Sequence, residues 1–150
     1  MRFNTKTRYG LRTMLELALN AGSGEGVYQK DIAANQEVSV KYLDHIIASL
    51  KKAGLVKNAG GRKSGYKLGR PADQISIYDI YRAFEEDLAI IDCLLAEGTC
   101  PRRPDCVLGD YWDGLNRTIR ESMESMTLGE LSRKHNSSGN EFINITNSDY

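Results

Sequence analysis

A mainly α-helical fold carrying one small β-hairpin is predicted by three features of this 150-residue chain. Apolar residues recur at intervals of three and four along 5–20, 39–53, 77–88 and 112–126, the period of helices with one buried face. Glycine gathers between these stretches, at Gly22, Gly24 and Gly26 and again from Gly54 to Gly65, where it stops helices and permits tight turns. Leu55-Val56-Lys57 and Tyr66-Lys67-Leu68 flank the second glycine group as two short strands would. The length suits one domain with a modest core and leaves no room for a second, catalytic one.

The elements follow in order. Leu11, Met14, Leu15, Ala18 and Leu19 share one face of a first helix over about 5–20, stopped by Asn20-Ala21-Gly22. Past the glycine loop, Val27-Tyr28-Gln29 either pairs as a short strand or leads directly into a brief helix over 29–35 that turns Ile32 and Ala33 inward. Gln36-Glu37-Val38 makes a tight connection. Ser39 is a good cap for the next helix, 39–53, along which Val40, Leu43, Ile46, Ile47 and Leu50 form an apolar stripe. Lys41, Tyr42, His45 and Ser49 lie near its other face. Two short helices joined by such a turn, the second amphipathic, make a helix-turn-helix, with 39–53 as the recognition helix.

Gly54 ends that helix, and the hairpin after it has a basic tip containing Gly61, Arg62, Lys63 and Ser64. Glycine allows close approach to a phosphate backbone and arginine follows the negative potential of a minor groove, so the hairpin reads as a wing. Pro71 closes this region. Ser76-x-x-Asp79 then caps a helix with Ile77, Ile80, Tyr81, Phe84 and Leu88 on one face. Trp112, Leu115, Ile119, Met123 and Met126 form the apolar seam of a long helix that needs a partner. DNA-binding chains of this size usually read two half-sites as a two-fold dimer, so the seam is expected to be a dimerisation helix. The organisation is thus a winged helix-turn-helix over 1–70, a cofactor loop and dimerisation helix over 71–131, and a tail, 132–150, expected to be disordered.

The formal charge of zero conceals a segregation. Residues 1–70 hold thirteen Lys and Arg against five Asp and Glu, a net +8, whereas 71–150 hold seven against fifteen, a net −8. A basic N-terminal half is the electrostatic footprint of a nucleic-acid binder, because neutralising phosphate supplies much of the affinity.

All three cysteines, Cys93, Cys100 and Cys106, fall in one Cys-x6-Cys-x5-Cys stretch together with Gly98, Pro101 and Pro104. Thiolates on a short irregular segment can wrap a soft metal or an iron-sulfur cluster. The basic start of the chain has no apolar stretch after it and no run of 18 apolar residues occurs, so a soluble, cytoplasmic protein with no membrane partner is expected. In that reducing compartment three cysteines point to metal binding or redox sensing, not to a disulfide framework. Structural zinc favours closely spaced Cys pairs, which are absent here, and this places a cluster ahead of zinc. Catalysis lacks support: there is no phosphate-binding glycine motif and no histidine paired with a plausible nucleophile.

Several motifs then combine: Lys6-x-Arg8-Tyr9-Gly10, Ser39-x-x-Tyr42-Leu43, Leu50-Lys51-Lys52-Ala53-Gly54-Leu55-Val56, Gly65-Tyr66-x-Leu68, the spaced cysteines, and Thr127-Leu128-Gly129-Glu130-Leu131. Through them the chain, from Met1 to about Leu131, resembles the winged-helix iron-sulfur transcriptional regulators, the family that includes IscR and NsrR. The resemblance implies a homodimer on double-stranded operator DNA, with recognition helices in adjacent major grooves and wings in the flanking minor grooves. Ser39, Lys41, Tyr42 and His45 match the family's recognition helix by position, and Asp44 falls where an acidic or polar residue often discriminates between operators. The resemblance also marks departures. Gly60 stands where the wing commonly has arginine, and the first cysteine gap is six residues where five are common. Gly109 stands where IscR-like members have a ligand histidine, and Arg8 where NsrR-like members can supply a carboxylate from the partner. His45 belongs to the recognition helix and His135 to the region of the tail. A fourth donor is therefore sought among Asp110, Asp105 and Asp92, or in water or an exogenous thiol; such sparse ligation favours [2Fe-2S] slightly over [4Fe-4S]. The expected function is a cluster-controlled DNA-binding regulator. Its rivals are a metal-free winged-helix repressor controlled by thiol oxidation or a bound partner, and an iron-sulfur carrier or scaffold.

Overall fold

The computed structural model of the protein describes residues 2–61, 64–95 and 100–138. Helix α1 (Thr5–Leu19) starts at Asn4, whose side chain accepts the Thr7 N–H at 2.7 Å. Helix α2 (Gln29–Gln36) ends at Glu37, which takes a left-handed φ of 55° to turn the chain sharply. Ser39 caps α3 (Val40–Lys52) as its sequence suggests, accepting from the Tyr42 N–H at 3.0 Å, while Lys51 and Lys52 sit favourably in the last turn. Gly54, at φ +73°, turns the chain out of α3.

Strands β1 (Val56–Asn58) and β2 (Tyr66–Leu68) pair antiparallel, Val56 opposite Leu68 and Asn58 opposite Tyr66. The two readings of Val27-Tyr28-Gln29 are both partly realised: Val27 bridges β2, exchanging N–H···O bonds of 2.9 and 2.8 Å with Tyr66, and α2 begins at Gln29. Gly65 is required by this close approach, because a Cβ there would lie 2.5 Å from the Val27 backbone.

Met14, Ile32, Leu43, Ile46, Leu50 and Leu55 are buried in one core with Ile75, Ile80 and Leu128. Each such side chain contributes about 1.5–3 kcal/mol by leaving water. Val40, expected in the apolar stripe of α3, is instead 50% exposed; the buried stripe is Leu43, Ile46, Ile47 and Leu50. Helix α4 (Ile77–Arg82) has a complete capping box between Ser76 and Asp79. It is shorter than the apolar spacing suggests, and Phe84 and Leu88 lie beyond it. Glu85, Glu86 and Asp87 follow directly, and carboxylates at a helix C-terminus oppose the helix dipole.

Helix α5 (Val107–Ser125) packs on α4, and α6 (Leu128–Ser138) returns to lie on α1. The return is fastened by Ile77 N–H to the Met126 carbonyl (2.9 Å) and Leu128 N–H to the Ile75 carbonyl (2.8 Å). Met126, expected within the long seam, therefore ends it in an extended conformation. Residues 132–138, expected to belong to the tail, form the second part of α6; residues 139–150 lie outside the described part. Among the described residues, no helix is long and apolar enough to cross a membrane.

Candidate functional site

Two groups of residues carry the chemistry anticipated from sequence, one on the winged half and one around the cysteines. On α3, Lys41, Asp44 and His45 are exposed, and Tyr42 is half-buried with its ring edge-on to Tyr9 at 5.9 Å. Tyr9 in turn carries the Arg12 guanidinium 5.3 Å from its ring centroid. The Ser39 hydroxyl is engaged in capping α3. At the wing, Ser64 Oγ accepts the Gly60 N–H at 2.9 Å and donates to the Gly61 carbonyl at 2.8 Å. Arg62 and Lys63, the basic residues expected at that tip, lie outside the described residues. Lys51 links α3 to the wing, donating to Asn58 Oδ1 at 3.2 Å and lying 5.5 Å from the Tyr66 ring centroid. Tyr28, Gln29 and Lys30, at the start of α2, line a groove of about 380 Å³ with Asn58, Gly61, Ser64 and Tyr66 of the hairpin.

Beneath this surface, Glu16 of α1 is buried. It accepts from Asn35 Nδ2 at 2.6 Å and Gln36 Nε2 at 2.7 Å, joining α1 to the end of α2. Burial raises its carboxyl above the ordinary value, an effect opposed by those two hydrogen bonds. Nothing in the sequence marks Glu16, because an acidic residue in an amphipathic helix ordinarily faces water.

Cys93, Cys100 and Cys106 are unpaired thiols, each half-buried. Cys93 lies in a short 3-10 turn, Asp92–Leu94, and Cys106 caps α5, its Sγ accepting the Gly109 N–H at 3.3 Å. Both flanks of the segment are tied to α5. Asn116 accepts from the Ile90 N–H at 3.2 Å and donates to the Leu88 carbonyl at 2.9 Å. Arg103 pairs with Asp110 at 3.2 Å and also with Asp113. Sequence spacing does not find Asn116 or Arg103, since their partners lie on a different element.

Three thiols on a loop are the right kind of donor for a soft metal or iron-sulfur cluster. Among the described residues, however, no three of His, Cys, Asp and Glu stand together as a metal site. Residues 96–99, between Cys93 and Cys100, are outside the described part. Of the carboxylates considered as a fourth donor, Asp110 is held by Arg103, and Asp92 and Asp105 are exposed. Gly109 is buried against Arg103, which a Cβ would approach to 2.5 Å. Arg8 is exposed on α1, and His135, expected in the region of the tail, lies instead in α6.

The first turns of α5 carry an apolar surface: Val107 is 82% exposed, and Leu108 and Tyr111 are also exposed. Further along, Met123 is buried with Tyr81 and Leu88, with Ile119 packed at the edge. Of the expected seam, Trp112, Leu115, Ile119 and Met126 are half-buried and Met123 is buried, so the bare apolar surface of α5 is the separate group Val107, Leu108 and Tyr111 in its first turns.

The Rrf2 family model, described as an iron-dependent transcriptional regulator, matches residues 3–134. The chain is 35% identical over 133 residues to protein rrf2 of Nitratidesulfovibrio vulgaris, a match covering 89% of this chain and 88% of that protein. Among solved structures, T. potens IscR matches with a TM-score of 0.73 at 32% identity, covering 92% of this chain and 90% of the other. CymR, the global cysteine regulator of B. subtilis, matches with a TM-score of 0.72 at 32% identity over 89% of this chain and 98% of its own.

Proposed function

Because this chain belongs to the Rrf2 family of winged-helix transcriptional regulators, a non-enzymatic role, we propose that it binds operator DNA as a homodimer under the control of Cys93, Cys100 and Cys106. In this reading the three thiolates hold an iron-sulfur cluster, [2Fe-2S] slightly ahead of [4Fe-4S], with the fourth donor a carboxylate, water or an exogenous thiol. Such a cluster supplies coordination that changes with oxidation, iron supply or reactive gases. The observation that carries the proposal is the double attachment of the cysteine segment to α5, through Asn116 on one side and Arg103 on the other.

Bringing the three thiolates to a common centre requires residues 92–95 and 100–106 to approach one another. Both stretches are held to α5, so their approach bears on how that helix sits against α4. Helix α4 in turn leads to Glu85, whose carboxylate accepts from the Asn4 N–H (3.0 Å) and the Thr7 hydroxyl (2.8 Å) at the start of α1. A contiguous set of contacts thus runs from the thiols to the helix that supports the winged half. Val107, Leu108 and Tyr111 of α5 provide the apolar surface for the second subunit. Ser39, Lys41, Tyr42 and His45 are assigned to the major groove, and Gly61, Arg62, Lys63 and Ser64 to the flanking backbone and minor groove.

A second reading, thiol oxidation without metal, is favoured by the likeness to CymR and by the half-buried, unpaired state of all three cysteines. The test is operator selection from genomic fragments followed by binding titrations under anaerobic conditions. Wild type and a Cys93/Cys100/Cys106→Ala variant should both recover the same fragments, with affinities differing by about tenfold or more, a differential typical of coupled sites. Equal affinities would remove the cysteines from control.

A further inference from the structure

Gln29 opens α2, and its side-chain amide reaches across to the recognition helix. It donates to the Val40 carbonyl at 3.4 Å and to the Asp44 carboxylate. One carboxamide from the first helix of the pair thus grips the second at two points a turn apart. Asp44 is exposed on α3, in line with Lys41 one turn earlier and next to His45. Gln29 itself lines the groove between the start of α2 and the wing.

A carboxylate on a DNA-facing helix accepts hydrogen bonds and cannot donate them. In the major groove it therefore suits bases that present an amino group, cytosine at N4 or adenine at N6, and is unsuited to the acceptor edges of guanine and thymine. It also repels phosphate, so its contribution depends on being held in one place. A free aspartate on an exposed helix surface samples several rotamers, and ordering it on binding costs part of the gain. With Oδ1 engaged by Gln29, Oδ2 remains as a fixed acceptor.

We propose that Gln29 is a specificity-positioning residue, which holds Asp44 so that the recognition helix selects a base amino group at one position of each operator half-site. The inference rests on the DNA-binding reading above and extends it to a residue that has no direct base contact of its own.

The test is selection from a randomised duplex library by the full-length wild type and the variants Asp44→Ala, Gln29→Leu and Gln29→Glu, at one fixed salt concentration. The wild type is expected to enrich a two-fold motif in which one position favours cytosine or adenine. Asp44→Ala should flatten that position. Gln29→Leu should reduce the preference there by about tenfold, the scale of one well-made base contact, and leave the other positions unchanged. Gln29→Glu keeps the size of the side chain but removes the donor, so it should act as Gln29→Leu does. A simple loss of folding would instead weaken all positions together and appear as a lowered thermal midpoint. Wild-type discrimination retained in both Gln29 variants, or in Asp44→Ala, would overturn the proposal. A wild type that enriches no motif would overturn the DNA-binding reading itself, and the role of Gln29 with it.

Discussion

Gln36 donates its side-chain amide to the Glu16 carboxylate at 2.7 Å, and both residues are no more than 2% exposed. Asn35 makes a second bond to the same carboxylate at 2.6 Å. This buried contact sets where α2 ends against α1, and so where the turn into the recognition helix begins. Glu16→Ala leaves two amides without their acceptor, and Gln36 lies fully inside. A loss of about 2–4 kcal/mol is expected in urea unfolding, the range for breaking a buried polar network. A loss below about 0.5 kcal/mol would show that water replaces the carboxylate.

The same residue makes stability depend on pH. Burial raises the Glu16 carboxyl above its ordinary value of 4.5, so the folded chain binds this proton more readily than the unfolded chain. Between those two values the folded state carries more protons, and stability falls as pH rises through the window. Glu16→Gln removes the titration. The variant's unfolding free energy minus that of the wild type should therefore increase as pH rises from below 4.5 and level off once the folded carboxyl is ionised. A difference independent of pH would mean that Glu16 titrates alike in both states.

Gly10 faces Phe84, whose ring occupies the space a Cβ would need. Gly10→Ala gains up to about 1 kcal/mol of helix propensity but displaces an aromatic ring packed on the core, an overpacking that costs about 1–3 kcal/mol. The cost should prevail, and thermal unfolding should show a lower midpoint. Gly10→Ala combined with Phe84→Leu should recover part of the loss.

Lys41 lies exposed on the recognition helix. As a cation at the edge of the major groove it is expected to neutralise phosphate, so Lys41→Ala should lower affinity for all sequences alike and reduce the slope of log affinity against log salt by about 0.9 for each phosphate no longer neutralised. An unchanged slope with altered base preference would place Lys41 on a base edge instead.

Asn116 holds residues 88–90 to α5 through two hydrogen bonds. Asn116→Ala should speed amide exchange across 88–95 while leaving α1 to α3 protected, because the bonds it removes belong to the cysteine segment alone. Faster exchange throughout the winged half would show that the two regions open together.

Much of the winged half is legible in the sequence because its elements carry local signals. Ser39 caps α3 and Gly54 ends it with a positive φ, and just beyond the winged half Ser76 and Asp79 form their reciprocal box at the start of α4. What escapes a sequence reading depends on distant partners. Glu16 is acidic and lies inside only because Asn35 and Gln36 come from another helix. Val40 fits the apolar period but sits in the first turn of α3, where its carbonyl receives Gln29 and its side chain faces outward. Asn136-Ser137-Ser138 reads as tail by composition, yet it continues α6, which is anchored by Leu128 in the core and by Arg133 to Asp73 at 2.9 Å. The cysteines are found by spacing alone, whereas Asn116 and Arg103, which fix the ends of their segment, are not.

Whether Cys93, Cys100 and Cys106 hold an iron-sulfur cluster in a DNA-binding regulator is decided by anaerobic purification of the wild type and the triple alanine variant, with absorbance spectra and iron, sulfide and zinc measured per chain. A brown wild type with iron and sulfide in equal amounts, both absent from the variant, is the predicted result. A colourless wild type that takes up no iron even after reconstitution would contradict it.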